Sequence, residues 1–186
     1  MTMTRAEARE LRFDESEEEL LARTSGPPDA VTQKPLSVLD VAAAILDERS
    51  PLDTWKLQKL CYYAQARHIA SGYGRLFRED IEAWAAGPVV RELYEQHRGR
   101  YSISTIGGGD LSTVRARPAA VETLRSVLAE FGDWSGDQLS ELTHREAPWV
   151  EARAGIPPQG RSTARIPLAS IARYYRMLDL IPADEF

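Results

Sequence analysis

The stretch Trp55–Tyr94 constrains the fold most, because it joins an amphipathic segment to two glycine breaks and a Gly-Pro pair. Its first half predicts a helix, since apolar residues recur at i, i+3, i+4 and i+7: Leu57, Leu60, Cys61 and Ala64. Asp53 stands where an N-cap oxygen accepts an early backbone N–H. Ser71-Gly72 and Gly74 predict the end of the helix, because glycine relieves the left-handed C-terminal position.

The second half of this stretch predicts a short extended segment followed by another helix. Residues Ile81–Trp84 are short and alternating, which indicates a strand or an extended turn. Gly87-Pro88 predicts the start of another helix, where the missing N–H of proline costs nothing. We expect Gly87 to hold a backbone conformation that disfavours a side chain. The whole stretch has the character of a scaffold between helices and not of a catalytic loop.

Length and composition fit an ordinary globular protein. The chain has 186 residues, of which 43% are hydrophobic and 27% charged, so one domain with a full core is expected. A single cysteine excludes an internal disulfide and favours a reducing cytoplasm. No apolar run approaches the roughly 20 residues that span a bilayer, and the N-terminus lacks the apolar region of a secretory signal. We therefore predict a cytoplasmic protein with no membrane partner.

Residues 1–34 differ in composition from the rest. Four glutamates fall between Glu15 and Glu19, and a Gly-Pro-Pro run ends at Pro28. This composition predicts an acidic N-terminal extension that is flexible and partly disordered. The alternative is a segment that folds on a partner. Residues 35–186 are predicted to form a single compact, mainly α domain with a few short β-strands.

Local signals place further elements along this domain. Ser37-x-x-Asp40 is similar to a capping box and predicts the start of a helix. A short strand is predicted around Tyr101, Ile103 and Ile106, after a basic polar segment at 96–100. Helices are predicted over Pro118–Phe131 and from Leu168 to Leu178, and Pro148 is expected to open a short helix between them. The three glycines at 107–109 lack the arrangement of a phosphate-binding loop.

No catalytic or metal-binding pattern emerges from the titratable residues. Cys61 and His68 are i, i+7 on one helix, which separates them by about 10 Å along its axis, whereas a nucleophile and its base need about 3 Å. The histidines His68, His97 and His144 lack metal-ligand spacing. The sequence therefore predicts no enzyme, no cofactor and no metal, with Cys61 as a core residue.

Two sets of residues leave a structural and a functional interpretation open. Thr143 and His144 either satisfy backbone groups at a helix end or contact a partner. Tryptophans lie more often in cores than on surfaces, but an exposed one would indicate an interface; the four are Trp55, Trp84, Trp134 and Trp149. The basic residues near the central helix form either a basic edge or an ordinary solvated face; they are Lys56, Lys59, Arg67 and Arg75.

An ordered set of motifs between Ser37 and Leu180 resembles the Panacea domain, also called the SocA-like domain. The residues that carry the resemblance, whose role is either structural or partner-binding, are Lys56, Leu57, Gln58, Lys59, Leu60, Tyr62, Tyr63, Trp84, Gly87, Pro88, Val89, Tyr94, Thr143, His144, Pro148 and Trp149. Two positions depart from the family pattern. Asp53-Thr54 stands in place of Thr-Pro, and Arg91 replaces a proline that commonly follows the two valines.

The resemblance implies an antitoxin of a toxin–antitoxin system, whose partner is a toxin encoded by a neighbouring gene. It implies neutralisation by direct protein binding or, alternatively, delivery of the toxin to a AAA+ protease, and it brings no catalytic residues. A DNA-binding regulator of its own operon is the rival from another class. The net charge of −5 and the lack of a clear helix-turn-helix count against nucleic acid as partner. The toxin and the oligomeric state stay open.

Overall fold

The fold is built around one buried helix. The computed structural model describes residues 34–179, apart from the side chain of Asp179. The predicted acidic extension therefore lies outside the described residues, except for Lys34. Eight helices are present within the described range: α1 (Val38–Arg49), α2 (Thr54–Ala70), α3 (Arg91–His97), α4 (Leu111–Arg115), α5 (Pro118–Phe131), α6 (Gly136–Thr143), α7 (Ala147–Ala152) and α8 (Leu168–Asp179). The mainly α prediction is confirmed.

Four short strands form two antiparallel pairs. Strands β1 (Leu52–Asp53) and β4 (Ser102–Ile103) pair with Leu52 opposite Ile103. Strands β2 (Ile81–Trp84) and β3 (Gly87–Val90) form a hairpin with Trp84 opposite Gly87. Residues 164–166 bind the other edge of β2, because Ala83 N donates to Ala164 O and Ile166 N donates to Ile81 O, each at 2.8 Å. Strand β2 is therefore hydrogen-bonded along both of its edges, by β3 on one and by residues 164–166 on the other.

Helix α2 is the centre of the packing. It is contacted by α1, α5, α6, α8 and strand β3, and its buried residues occupy every side of the helix rather than one face. A helix that is buried on all sides is an internal helix. The sequence predicted burial of one apolar face only, so α2 is more buried than its sequence pattern indicated. The core that surrounds it includes Val41 and Ile45 of α1, Val127 of α5 and Ile171 of α8.

The predicted helix ends follow from capping chemistry. Asp53 Oδ1 accepts from Lys56 N at 2.7 Å and so caps α2. The capping box of α1 is confirmed, with Ser37 and Asp40 exchanging side-chain to backbone bonds. Helix α5 covers the predicted range, and Pro148 lies in the first turn of α7.

The predicted helix start at Gly87-Pro88 is wrong. These residues begin β3, and the next helix starts only at Arg91. Two β-branched valines follow. Val89 lies opposite Glu82 of β2, whereas the backbone N–H and C=O of Val90 bond the side chain of Gln58. The expected conformation of Gly87 is confirmed, since its φ is +105°, in a region that side chains avoid.

None of the helices between residues 34 and 179 combines the length and the apolar character that crossing a lipid bilayer requires.

Candidate partner-binding cleft

A cleft of about 730 Å³ opens between the first turns of α2, the β2–β3 hairpin and the end of α3. Residues 161–163, from the loop before α8, close its remaining side. Its wall contains four arginines and one lysine but no aspartate or glutamate: Arg91, Arg98, Arg100, Arg161 and Lys59. We call this site the arginine cleft.

Gln58 builds the floor of the arginine cleft. Its Oε1 accepts from Val90 N at 2.9 Å, and its Nε2 donates to Val90 O at 3.3 Å. The same Nε2 lies 3.0 Å from Nε2 of the buried His97, which accepts the second amide hydrogen. Burial lowers the pKa of His97, so the ring stays neutral in this role. The side chain of Gln58, on α2, thereby fixes both the end of β3 and the end of α3.

Lys59 is a buried amine in the wall of the arginine cleft. Its side chain is 2% exposed, and Nζ donates to Pro88 O at 3.2 Å. Burial lowers its pKa to about 7, against a smaller opposing effect of the charge on Asp53. Lysine is rarely buried, so the burial of Lys59 could not be predicted from the sequence.

The basic edge, one of the two interpretations of the basic residues near α2, does not form. Lys56 Nζ donates to Gly132 O at 2.6 Å, and Arg67 pairs with Glu130. Arg75 lies 3.7 Å from a carboxylate oxygen of Asp80 beyond the end of the helix. Lys56 and Arg67 both contact α5 or the residue that follows it, whereas Arg75 pairs within the segment after α2, so they form no continuous basic edge.

The arginines of the cleft differ in how they are neutralised. Arg91 donates to both carboxylate oxygens of Glu82 at 2.9 and 2.7 Å and lies over the Trp84 ring. Arg98 lies 3.6 Å from a Glu95 oxygen. Arg100 and Arg161 are exposed and have no carboxylate partner among residues 34–179. The mouth of the cleft therefore carries positive charge that is free to meet an anionic group.

Three large exposed aromatic residues surround the first turn of α2. Trp55, Tyr101 and Trp134 are 53%, 87% and 38% exposed. Tyr101 O accepts from Thr54 N at 3.0 Å, which fixes its main chain beside this turn. The segment around Trp134 is fixed there as well, because Lys56 reaches Gly132 O and Gly136 packs on Asp53. We call these three residues the aromatic patch.

The expectation that the tryptophans lie in the core is wrong for two of them. Trp55 and Trp134 are exposed, while Trp84 and Trp149 are half-buried beside the hairpin. Trp149 Nε1 donates to Trp84 O at 3.0 Å, and its ring stacks on His144 with centroids 4.2 Å apart. Burial, and then the charges of Lys59 and Arg153, lower the pKa of His144.

The structure separates the motif residues into three groups. Gln58, Lys59, Trp84, Val89 and Tyr94 line the arginine cleft. Apart from Lys56, which contacts Gly132, the others are divided between the core around α2 and the hairpin, namely Leu57, Leu60, Tyr62 and Tyr63 in the core, and Gly87, Pro88, Thr143, His144, Pro148 and Trp149 at the hairpin. Thr143 Oγ1 donates to Ser140 O at 2.8 Å, as expected for a residue that satisfies a backbone group at a helix end.

A buried carboxyl cluster was missed by the sequence analysis. Glu146 Oε2 accepts from Tyr175 Oη at 2.7 Å, and Oε1 accepts from Tyr63 Oη at 3.3 Å. Burial raises the pKa of Glu146 to about 7, although both hydroxyl donors oppose this shift. The cluster joins α2, α7 and α8. Its members lie far apart in the sequence, so no local pattern could have found it.

Arg153 was also missed and holds the loop that follows α7. It is 5% exposed, and its guanidinium donates to Ala83 O and to Pro157, Pro158 and Gly160 O at 2.9–3.0 Å. The same group lies over the Trp149 ring. The loop it fixes leads to residues 161–163 of the arginine cleft. The proline and glycine residues of this loop indicate a turn in the sequence, but they do not indicate that Arg153 binds it.

The described residues offer little for metal or nucleophilic chemistry. Between residues 34 and 179, no three His, Cys, Asp or Glu side chains are grouped so that they could hold a metal ion. Cys61 is buried as predicted, and burial raises the pKa of its thiol well above the usual range. What the described residues do bring together is a set of arginines beside exposed aromatic rings.

The chain matches the model of a known protein family. The family model described as "Antitoxin SocA-like, Panacea domain" matches residues 57–150, which is just over half of the chain. Comparisons with curated proteins and with solved structures give no match. The matched range runs from α2 to α7 and contains the hairpin and most of the arginine cleft. The chain therefore belongs to the antitoxin SocA-like, Panacea domain family.

Proposed function

We propose that this protein is a cytoplasmic antitoxin that neutralises a cognate toxin by binding it directly, without catalysis. The observation that carries the proposal is the aromatic patch around the first turn of α2. Tryptophan and tyrosine dominate the energetics of protein interfaces, because they bury a large area at low entropic cost. Of the four large apolar side chains that are exposed between residues 34 and 179, three belong to this patch.

The arginine cleft extends the same surface and adds charge selectivity. Trp55 belongs to both the aromatic patch and the cleft wall, so one partner segment can contact the two together. Arg100 and Arg161 can form bidentate bonds with carboxylates of the toxin. The family membership supports the antitoxin role. The matched range contains Tyr101 and Trp134 of the aromatic patch and begins two residues after Trp55.

A DNA-binding regulator is less well supported. A DNA-binding regulator would be expected to have a helix that exposes Arg and Gln on a basic face. Helix α3 exposes Arg91 and Gln96, but it also exposes Glu92 and Glu95. The free arginines of the cleft lie on connecting segments and not on a helix face.

Co-expression in a bacterial host tests the proposal. The product of the neighbouring gene alone should arrest growth, and this protein should restore growth and co-purify with it. A harmless neighbour, or rescue without a complex of the purified proteins, would contradict direct neutralisation. Rescue that disappears only in a host lacking AAA+ proteases would favour the adaptor mechanism instead.

A further inference from the structure

The arginine cleft and the acidic N-terminal segment of the same chain have matching charges. Residues 14–19 hold five carboxylates and no basic side chain, in the sequence Asp-Glu-Ser-Glu-Glu-Glu. The cleft wall holds five basic residues and no acidic one. Within the wall, Arg100 and Arg161 lack a carboxylate partner from residues 34–179. Carboxylates match the donor geometry of a guanidinium group and bind it through two parallel hydrogen bonds.

The apolar residues beside the acidic run match the second feature of the site. Phe13 precedes residues 14–19, and Leu20 and Leu21 follow them. The cleft places Trp55, Trp84 and Tyr94 beside its arginines. A segment that carries carboxylates flanked by apolar side chains can therefore bind in two ways at once. Its apolar side chains can be buried against the aromatic rings, and its carboxylates can pair with the guanidinium groups.

The length of chain before the described residues is sufficient to reach the cleft. Lys34 is fixed at the other end of α2, because its carbonyl accepts from Arg117 and because Leu36 bridges to Phe77. Helix α2 has 17 residues and so spans about 26 Å. The 14 residues between Glu19 and Lys34 allow a span of up to about 50 Å. The segment between Glu19 and Lys34 is therefore long enough to reach from one end of α2 to the other.

We propose that residues 14–19 bind in the arginine cleft of their own molecule. The tether keeps this segment at a high effective concentration, so that weak individual contacts are enough for occupancy. Such an occupant would cover Trp55 and the free arginines until a stronger anionic partner displaces it. That consequence rests on the proposed function, whereas the occupancy itself does not require a toxin.

The test compares two forms of the purified full-length chain by NMR of the Trp55 indole N–H, without any toxin. One form is the wild type, and the other carries D14N, E15Q, E17Q, E18Q and E19Q. A peptide of residues 12–22 (RFDESEEELLA) is then added to each. We expect the Trp55 signal to differ between the two chains. The peptide should move the signal of the neutralised chain towards the wild-type position, and it should bind the wild type at least tenfold more weakly.

Matched arginine substitutions identify the surface involved. Combining Arg100→Ala and Arg161→Ala with the neutralised chain should weaken peptide binding at least tenfold. Combining Arg125→Ala and Arg145→Ala, which are exposed and do not line the cleft, should leave peptide binding unchanged. Equal loss with both pairs would show non-specific charge attraction and would overturn the proposal.

Two further outcomes decide against an intramolecular occupant. If the wild-type and neutralised chains give the same Trp55 signal, the cleft is open to external partners and the proposal is wrong. If the difference appears only as protein concentration rises, a second copy supplies the segment and the intramolecular form is wrong. A difference that is independent of concentration supports the proposal.

Discussion

Lys59 and Gly87 contact each other so closely that no side chain fits between them. A β-carbon on Gly87 would lie 2.6 Å from Lys59 Cε and 2.9 Å from both Lys59 Nζ and Thr143 Oγ1. The φ of Gly87, +105°, is also one that other residues rarely adopt. The buried amine of α2 thus lies directly against the turn that starts β3, and the hairpin wall of the arginine cleft depends on this contact.

Gly87→Ala should therefore destabilise the protein more than a glycine substitution at a spacious site. We expect a loss of about 2–4 kcal/mol in the free energy of unfolding, because backbone strain and overpacking add. Gly74→Ala is the matched control, since its φ is +76° and nothing lies within 4 Å of an added β-carbon. It should cost only about 1 kcal/mol in denaturant titrations. Equal losses at both positions would show that the Lys59 contact is unimportant.

The buried Glu146 should make stability depend on pH. Its pKa rises from 4.5 to about 7 on folding, so the folded state holds a proton that the unfolded state has lost between these values. The stabilisation is therefore fully present below pH 4.5 and disappears as the pH rises through 7. Relative to Glu146→Gln, wild-type stability should fall by about 1.4 kcal/mol per pH unit between pH 5 and 6.5.

The comparison with Glu146→Gln isolates this effect from other groups, such as His68, whose pKa burial lowers to about 4. Chemical denaturation at pH 4, 5, 6, 7 and 8 measures it. Glu141→Gln serves as the control, because Glu141 is exposed and its replacement should leave the pH profile of the wild type unchanged. A wild-type profile parallel to that of Glu146→Gln would mean that folding does not raise the pKa of Glu146.

Helix ends were predictable from the sequence, and the path of the hairpin was not. Asp53 and Ser37 act on backbone groups only two or three residues away, so the local pattern contains the whole interaction. Gly87-Pro88 carries a local signal for a helix start, but the outcome depends on pairing with Ile81–Trp84. Tertiary pairing overrides local propensity in this case, and a single sequence does not reveal it.

The arginine cleft was only partly visible in the sequence. The basic segment at 96–100 was recognised, and it supplies Arg98 and Arg100. Arg161 enters from a loop some sixty residues later, and the burial of Lys59 contradicts the usual exposure of lysine. Both facts depend on how distant segments meet around α2, which motif order alone cannot give.

Arg153 should be a strong anchor of the loop that borders the arginine cleft. Arg153→Met removes the donor from four carbonyl groups, including the one of the buried Ala83, and should cost about 2–4 kcal/mol in denaturant titrations. Arg165→Met is the matched control, because Arg165 is exposed and makes one surface ion pair with Asp80. It should cost less than about 1 kcal/mol. Similar losses for the two variants would contradict the anchoring role of Arg153.

Trp55 should contribute to binding and not to folding. Its ring is 53% exposed, so Trp55→Ala should change the free energy of unfolding by less than about 1 kcal/mol. If Trp55 contacts the toxin as proposed, the same substitution should weaken the complex by about 2 kcal/mol or more, which is roughly a thirtyfold rise in Kd. Calorimetric titration of the purified proteins measures the affinity, and growth rescue reports the consequence in cells. Val150→Ala is the control, because Val150 is 46% exposed on α7 and lies outside the aromatic patch. A Trp55→Ala variant that binds as tightly as Val150→Ala would remove the aromatic patch from the interface, because the exposure of its central residue would then have no part in recognition.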